Sequence, residues 1–360
     1  MSNTFGEYLR ITTWGESHGP GIGVVIDGLP AGIPVSVDEI AADLARRRPG
    51  GALASARQEP DTPQIQSGLL DGKTLGSPLA IWIESVDARS QDYDSLADLY
   101  RPGHADFTTE ARYGLRDARG GGRASARETA ARVAAGAVAR ALLHSEYDLE
   151  IIGWVDAIGS IRAEVNPTTV VAQQVESSPV RCPDQACSGA IVEQIESARE
   201  QGDSLGGWVG VVARGVPAGW GDPVFAKVKS LLGSAMLSIP AAVSLELGDG
   251  IASTTRSGSQ NNDQMVSDGS GGMRQETNRS GGLQGGITSG APLWLRVGFK
   301  PTSTIGTAQN TINTAGDEVV FEGKGRHDPC VVARAVPIVE AMLALVLADR
   351  MLASRATPPA

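Results

Sequence analysis

The sequence predicts an α+β fold of layered strands and helices, with an internal pseudo-two-fold duplication. Three observations predict it. Apolar strand-like runs end in Gly-Pro-Gly turns, long helical patterns lie among them in no regular βαβ rhythm, and segments of the first half return in the second.

The first element is the run GVVIDGLPAG at 23–32, a strand closed by a Gly-Pro-Gly turn. Ser36, with Glu39 three residues on, then makes a capping box, and the helix it starts ends in Arg46, Arg47, Arg48, Pro49 and Gly50. The run GLLDGKTLGSPL follows at 68–79. A second long helix is predicted from Ser125 and Glu128, with Ala130, Val133, Ala134, Ala137, Val138, Ala141 and Leu142 at helical spacing. In the second half GVVARGVPAG at 210–219 echoes the first strand and turn, and Asp222-Pro223 reads as the N-cap and first turn of the next helix. GLQGGITSGAPL at 282–293 matches the 68–79 run, and 293–299 reads as an apolar strand. A fainter echo sets Gly122-Arg123-Ala124-Ser125 beside Gly325-Arg326-His327-Asp328, each opening a helix. Without a linker-like tract, one domain over 1–360 is expected, with pseudo-repeats at about 5–150 and 190–353. The nearest thing to an irregular connection is 160–187.

Composition excludes several classes. The net charge of −10 argues against general nucleic-acid binding. The apolar stretch at 341–348 is far too short to span a membrane, and the N-terminus lacks a signal-peptide pattern, so a cytoplasmic protein is expected. Cys182, Cys187 and Cys330 suit neither a disulfide framework nor a zinc site. Of 31 basic residues only Lys73, Lys227, Lys229, Lys300 and Lys324 are lysine, so nearly all positive charge is arginine, the side chain suited to two-pronged recognition of carboxylate and phosphate. An acidic chain with local arginine clusters points to a small polyanion held in a pocket.

Four segments bring chemistry to glycine turns. GGGRASARET at 120–129 carries Arg123 and Arg127 to a predicted helix N-terminus, which favours an anion; the spacing is neither that of a P-loop nor that of a Rossmann turn. GESHG at 15–19, RPGHAD at 101–106 and GRHDPC at 325–330 hold three of the four histidines, and imidazole suits proton transfer near neutrality. His144 reads as structural. Asp328 before Pro329 suits an N-cap as well as a catalytic role. KPTST at 300–304 places a cation and three hydroxyls at a strand end, an arrangement that fits phosphate and also fits an ordinary turn.

Together GESHG, RRRPGG, RPGHAD, GGGRASARET, TNRSGGLQGGITSG, KPTST and GRHDPC resemble the chorismate synthase family, in its order and spacing, from about Phe5 to Ala353. The resemblance implies a layered β/α sandwich with the internal pseudo-repeat. It implies a 1,4-anti-elimination of phosphate from 5-enolpyruvylshikimate 3-phosphate, giving chorismate with no net redox change. Reduced FMN lends electron density as phosphate leaves. By resemblance His18 lies near the flavin N1/O2 edge, His104 near the leaving phosphate, and Asp328 relieves flavin N5 of its proton. Arg47, Arg101, Arg127 and Arg326 are implied substrate ligands. Arg123, Ala124, Ser125, Ala241, Gly285, Lys300, Pro301, Thr302, Ser303, Thr304 and Arg326 are implied cofactor contacts. Leu53 departs from a frequent Arg, and Ala124 from a frequent Ser. The family implies a homotetramer with flavin reduced elsewhere, NADPH serving as the indirect reductant of an external flavin reductase. An NAD(P)H-dependent flavin reductase built on the same pocket and a non-enzymatic anion-binding assembly protein are the alternatives.

Overall fold

The computed structural model describes residues 3–48, 59–86, 97–269, 272–323 and 328–357. Leu53, Arg326 and the opening residues of GRHDPC lie outside that set. Two antiparallel five-stranded sheets form the outer layers. The first runs Thr4–Phe5, Arg10–Trp14, Gly21–Asp27, Leu79–Glu84, Pro63–Ser67 across its width. The second runs Ala242–Leu247, Leu293–Phe299, Gly207–Arg214, Glu150–Ile158, Ile161–Arg162.

Helices fill the space between. The Thr129–Glu146 helix packs on the first sheet, the Val332–Ala356 helix on the second, and the two helices on each other. Both are apolar on nearly every face, as a helix covered from all sides must be. Their closest approach needs Gly136: a Cβ there would stand 2.3 Å from Ala341 Cβ. The result is the layered β/α sandwich that the sequence predicts, and the one large apolar core lies at its centre.

The echoing segments make matching bonds. Thr74 Oγ1 donates to Pro30 O (2.6 Å) and accepts from Ile33 N (2.9 Å). Thr288 Oγ1 donates to Pro217 O (2.7 Å) and accepts from Trp220 N (2.9 Å). In each half a short ribbon thereby staples the Gly-Pro-Gly turn that follows a central strand.

The helix starts differ in part from the sequence expectation. Ser36 caps Val37–Arg47 as expected, its hydroxyl accepting from Glu39 N. The helix expected at Asp222-Pro223 begins six residues later, at Val228–Leu237, because Asp222 N bonds Ala226 O and closes a loop first. Ser125 accepts from Arg127 N, so it caps a single 3₁₀ turn, Ala126–Glu128, and Glu128 turns to Arg132 instead of back to the cap. Asp328 is no N-cap either: the last helix starts at Val332, and the Asp328 carboxylate pairs with Arg334.

Candidate active site

A cavity of about 480 Å³ opens where loops of both halves meet at the ends of the central helices. The first half contributes Ser17 and His18, Arg47 from the end of the Val37–Arg47 helix, Glu59, the loop at 103–105, and the Gly120–Arg127 region. The second half contributes Ile239 to Ala241, Phe299 to Thr304 beyond the Leu293–Phe299 strand, Asp328, and Arg334 with Ile338 from the last helix.

The triple glycine lets two imidazoles come close. Gly120 and Gly121 have φ of 73° and 91°, which a side chain would strain. A Cβ on Gly120 would lie 2.5 Å from His18 Nε2, and one on Gly121 would lie 2.8 Å from His104 Cε1. Both rings therefore pack on one loop. His104 Nδ1 lies 2.9 Å from Asp106 Oδ1, and Arg101 binds the same carboxylate through Nε and Nη2, each at 2.7 Å. Burial opposes the charge on Asp106, but hydrogen bonds from Arg101 and His104 outweigh it and hold the carboxyl far below its usual range.

A second cluster is richer in cations. Asp61, wholly buried, pairs with Arg47 (2.6 Å) and with Arg127. Glu59 stands 3.7 Å from Arg127. Burial and the neighbouring Arg334 and Arg127 charges press the Arg47 pKa below its usual value, against the pull of Asp61. The same two arginines, Arg47 and Arg127, hold Asp61 ionised against its burial. Nε of Arg47 and Nε of Arg127 are buried with no hydrogen-bond partner among the described residues. Such donors are costly unless an acceptor reaches them.

Lys300 bridges the halves by donating to Gly103 O (2.7 Å), and its own N–H bonds Ala241 O. Ala241 holds φ at 66°, an uncommon strain for a residue with a side chain. The lining also includes the apolar side chains Ile239, Pro240, Phe299, Val331 and Ile338. A cavity lined by apolar side chains, by arginines and by the run from Lys300 to Thr304 has the right donors for a flat ring system with a phosphate tail beside a polyanion.

Of the expected residues, the fold gathers His18, His104, Asp328, Arg47, Arg127, Ala124, Ser125, Ala241 and the run from Lys300 to Thr304. Three lie apart. The Arg101 guanidinium is engaged by Asp106. Arg123 turns to Gly15 O and Thr13 Oγ1 (3.1 and 2.6 Å), so only its backbone belongs to the loop. Gly285 sits in the turn between the Leu283–Gln284 and Ile287–Thr288 strands, away from the cavity.

Comparison with known proteins decides the family. The family model described as chorismate synthase matches residues 9–352. The chain belongs to the chorismate synthase family. A chorismate synthase of Synechocystis sp. is 52% identical over 353 residues, covering 98% of both chains. One of Trichodesmium erythraeum is 50% identical over 98% of this chain and 95% of its own. A solved structure titled as a crystal structure of chorismate synthase superposes with a TM-score of 0.77 at 32% identity, over 97% of this chain and 93% of its own. As a member of the family the chain is an enzyme, a lyase acting on a small-molecule substrate. No helix among the described residues is long and apolar enough to cross a membrane.

Sequence reasoning missed Asp61, Asp106 and Arg334 as parts of the site. Asp106 stood inside a quoted motif, and its two-residue spacing from His104 was the available signal. Asp61 and Arg334 lie in stretches with no motif of their own.

Proposed function

We propose that the cavity carries out the anti-1,4-elimination of phosphate from 5-enolpyruvylshikimate 3-phosphate, releasing chorismate. The observation that carries this reading is the meeting, in one cavity, of two imidazoles packed on one glycine loop with the buried, under-satisfied guanidiniums of Arg47 and Arg127. The substrate carries a phosphate and two carboxylates, and such groups supply the acceptors those guanidiniums need.

Reduced FMN is the cofactor that the apolar wall and the Lys300–Thr304 edge suit, with Ala124, Ser125 and Ala241 beside it. When bound it supplies electron density to the breaking C–O bond. The chain's own groups do the rest. Arg47, Arg127 and Arg334 hold the anionic substrate and neutralise charge that builds as phosphate departs. His104 delivers a proton to the leaving phosphate, and His18 sits against the same loop to exchange a proton with the cofactor edge. Asp328, paired with Arg334, accepts a proton removed from the substrate side. The apolar wall excludes water from the reacting atoms.

Flavin reduced by a separate NADPH-dependent reductase, a homotetrameric assembly and a cytoplasmic location complete the reading. We also propose that the chain arose by internal duplication, which the paired Thr74 and Thr288 staples support.

The test mixes purified protein, FMN reduced without oxygen, and 5-enolpyruvylshikimate 3-phosphate, following chorismate absorbance and phosphate together. Equal release is expected. Silence with flavin bound would overturn the assigned reaction, and rapid NADPH consumption by the protein alone would remove the need for an external reductase.

A further inference from the structure

We infer that Arg101 and Asp106 form a positioning pair for His104, and that Arg101 acts through that pair without touching the substrate. The inference rests on the role given to His104 above. Asp106 is buried (3% exposed), as is Arg101 (6% exposed), so neither faces solvent. Their contact uses both carboxylate oxygens, and Arg101 N adds a third bond to Oδ2 at 3.1 Å. The Nε–Nη2 edge of the Arg101 guanidinium, one of its two forks, is thereby spent on Asp106.

The same geometry sets the proton on His104. Nδ1 lies 2.9 Å from Asp106 Oδ1 and 3.0 Å from Arg101 Nη2. An ionised carboxylate only accepts. A bare Nδ1 at 2.9 Å would set two lone pairs facing each other. Arg101 Nη2 lies beside Nδ1 but has Oδ1 as its nearer acceptor, at 2.7 Å against 3.0 Å, so the ring proton sits on Nδ1 and is donated to the same Oδ1. That leaves Nε2, beside Gly121, as the nitrogen that takes up a proton and, from the imidazolium, passes it to the leaving phosphate. Arg116 Nη1, 3.6 Å from Oδ1, adds positive charge behind the carboxylate.

The pair thus does for His104 what a buried aspartate does for the histidine of a serine protease triad: it fixes tautomer and orientation. Asp106→Asn keeps an acceptor for Arg101 but turns an amide N–H toward Nδ1, which drives the ring proton to Nε2.

The experiment labels histidine with ¹⁵N and reads the tautomer of neutral His104 by long-range ¹H–¹⁵N correlation, its signals assigned by their loss in His104→Gln. The wild-type holoenzyme is expected to carry the proton on Nδ1, and Asp106→Asn to carry it on Nε2. Steady-state kinetics in reduced FMN accompany the spectra. Asp106→Asn is expected to lower kcat on the order of 10²-fold with KM unchanged. Arg101→Lys is expected to lower kcat with KM unchanged. A wild-type ring protonated on Nε2 overturns the inference without any variant, so a misfolded variant does not shelter it. A raised KM with retained kcat in Arg101→Lys would return Arg101 to the substrate. The tautomer is read on resting protein, so an absence of lyase activity in the wild type would sink the assigned reaction and leave this inference standing or falling on its own spectra.

Discussion

Arg46 and Arg47 are neighbours on one helix, yet they meet opposite environments. Arg46 reaches Glu340 through Nη1 (2.5 Å) and Nη2 (3.0 Å), and Glu176 through Nε (2.8 Å). Arg140 stands 3.7 Å from Glu340, which also accepts from Gly153 N at 2.8 Å. Burial alone would press the Arg46 pKa down, but Glu340 and Glu176 overcome it and raise it. Arg47 has one carboxylate, Asp61, which it shares with Arg127, and its pKa is pressed down. One arginine is fully answered within the protein and the other is not. The difference teaches that in a chain laden with arginine the ligand site is marked by incomplete pairing, and the charge alone does not reveal it.

The largest effect should come from breaking the answered side. Glu340→Ala removes the buried carboxylate that Arg46, Arg140 and Gly153 N share, leaving Asp43 as the partner the two arginines still have in common, and the protein should lose about 3–5 kcal/mol of stability by denaturant titration. Turnover per folded molecule should persist, since Glu340 lines no part of the cavity. The sign with pH follows from the same pair. Burial works against ionisation of Glu340, yet Arg46, Arg140 and the Gly153 N–H hold its pKa below the ordinary value of 4.5. Its contribution is therefore full above that ordinary value and is lost as pH falls toward the lower folded value. Wild type should lose stability on acidification below about pH 4.5 more steeply than Glu340→Ala does.

Breaking the unanswered side should spare the fold and damage the chemistry. Arg47→Lys keeps a charge but loses the fork, and kcat/KM should drop by about 2–4 kcal/mol in transition-state terms, read in anaerobic assays. A melting point lowered as far as that of Glu340→Ala would make the two arginines alike and erase the contrast.

A smaller effect sharpens it. Inorganic phosphate at ten times its dissociation constant should stabilise wild type by about 1.4 kcal/mol in thermal melts. Arg47→Lys should lose most of that gain, and Arg46→Lys should keep it. Smallest of all is the surface reference. Arg10 and Asp27 meet at 2.7 Å with side chains 55% and 44% exposed, so Arg10→Ala should shift stability by less than about 1 kcal/mol.

Much of this architecture can be read along the chain. Ser36 and Glu39 mark a helix start through a local hydrogen bond, and the Leu293–Phe299 strand announces itself by its apolar run. The paired echoes are legible because each turn keeps its own Gly and Pro. What escapes the sequence is contact between distant residues. Asp61 meets Arg127 across 66 positions, and Glu340 meets Arg46 across 294. Neither carboxylate has a local reason to be where it is; Glu340 even sits inside an apolar helix, where its charge looks like a surface turn of the pattern. The start at Val228 escapes the sequence for the opposite reason, since Asp222-Pro223 carries the local signal of a cap while Asp222–Ala226 folds as a loop.

The last helix carries a consequence for the order of synthesis. Val332–Ala356 lies at the heart of the sandwich, and its Asp349 gathers the N–H groups of Glu7, Tyr8 and Leu9 at 2.9, 2.7 and 3.0 Å. The first sheet is covered early, by the Thr129–Glu146 helix, but the other side of that helix and the inner face of the second sheet stay bare until Val332–Ala356 is made. While that helix is awaited, the nascent chain holds an uncovered apolar slab that the cell must shield from its neighbours.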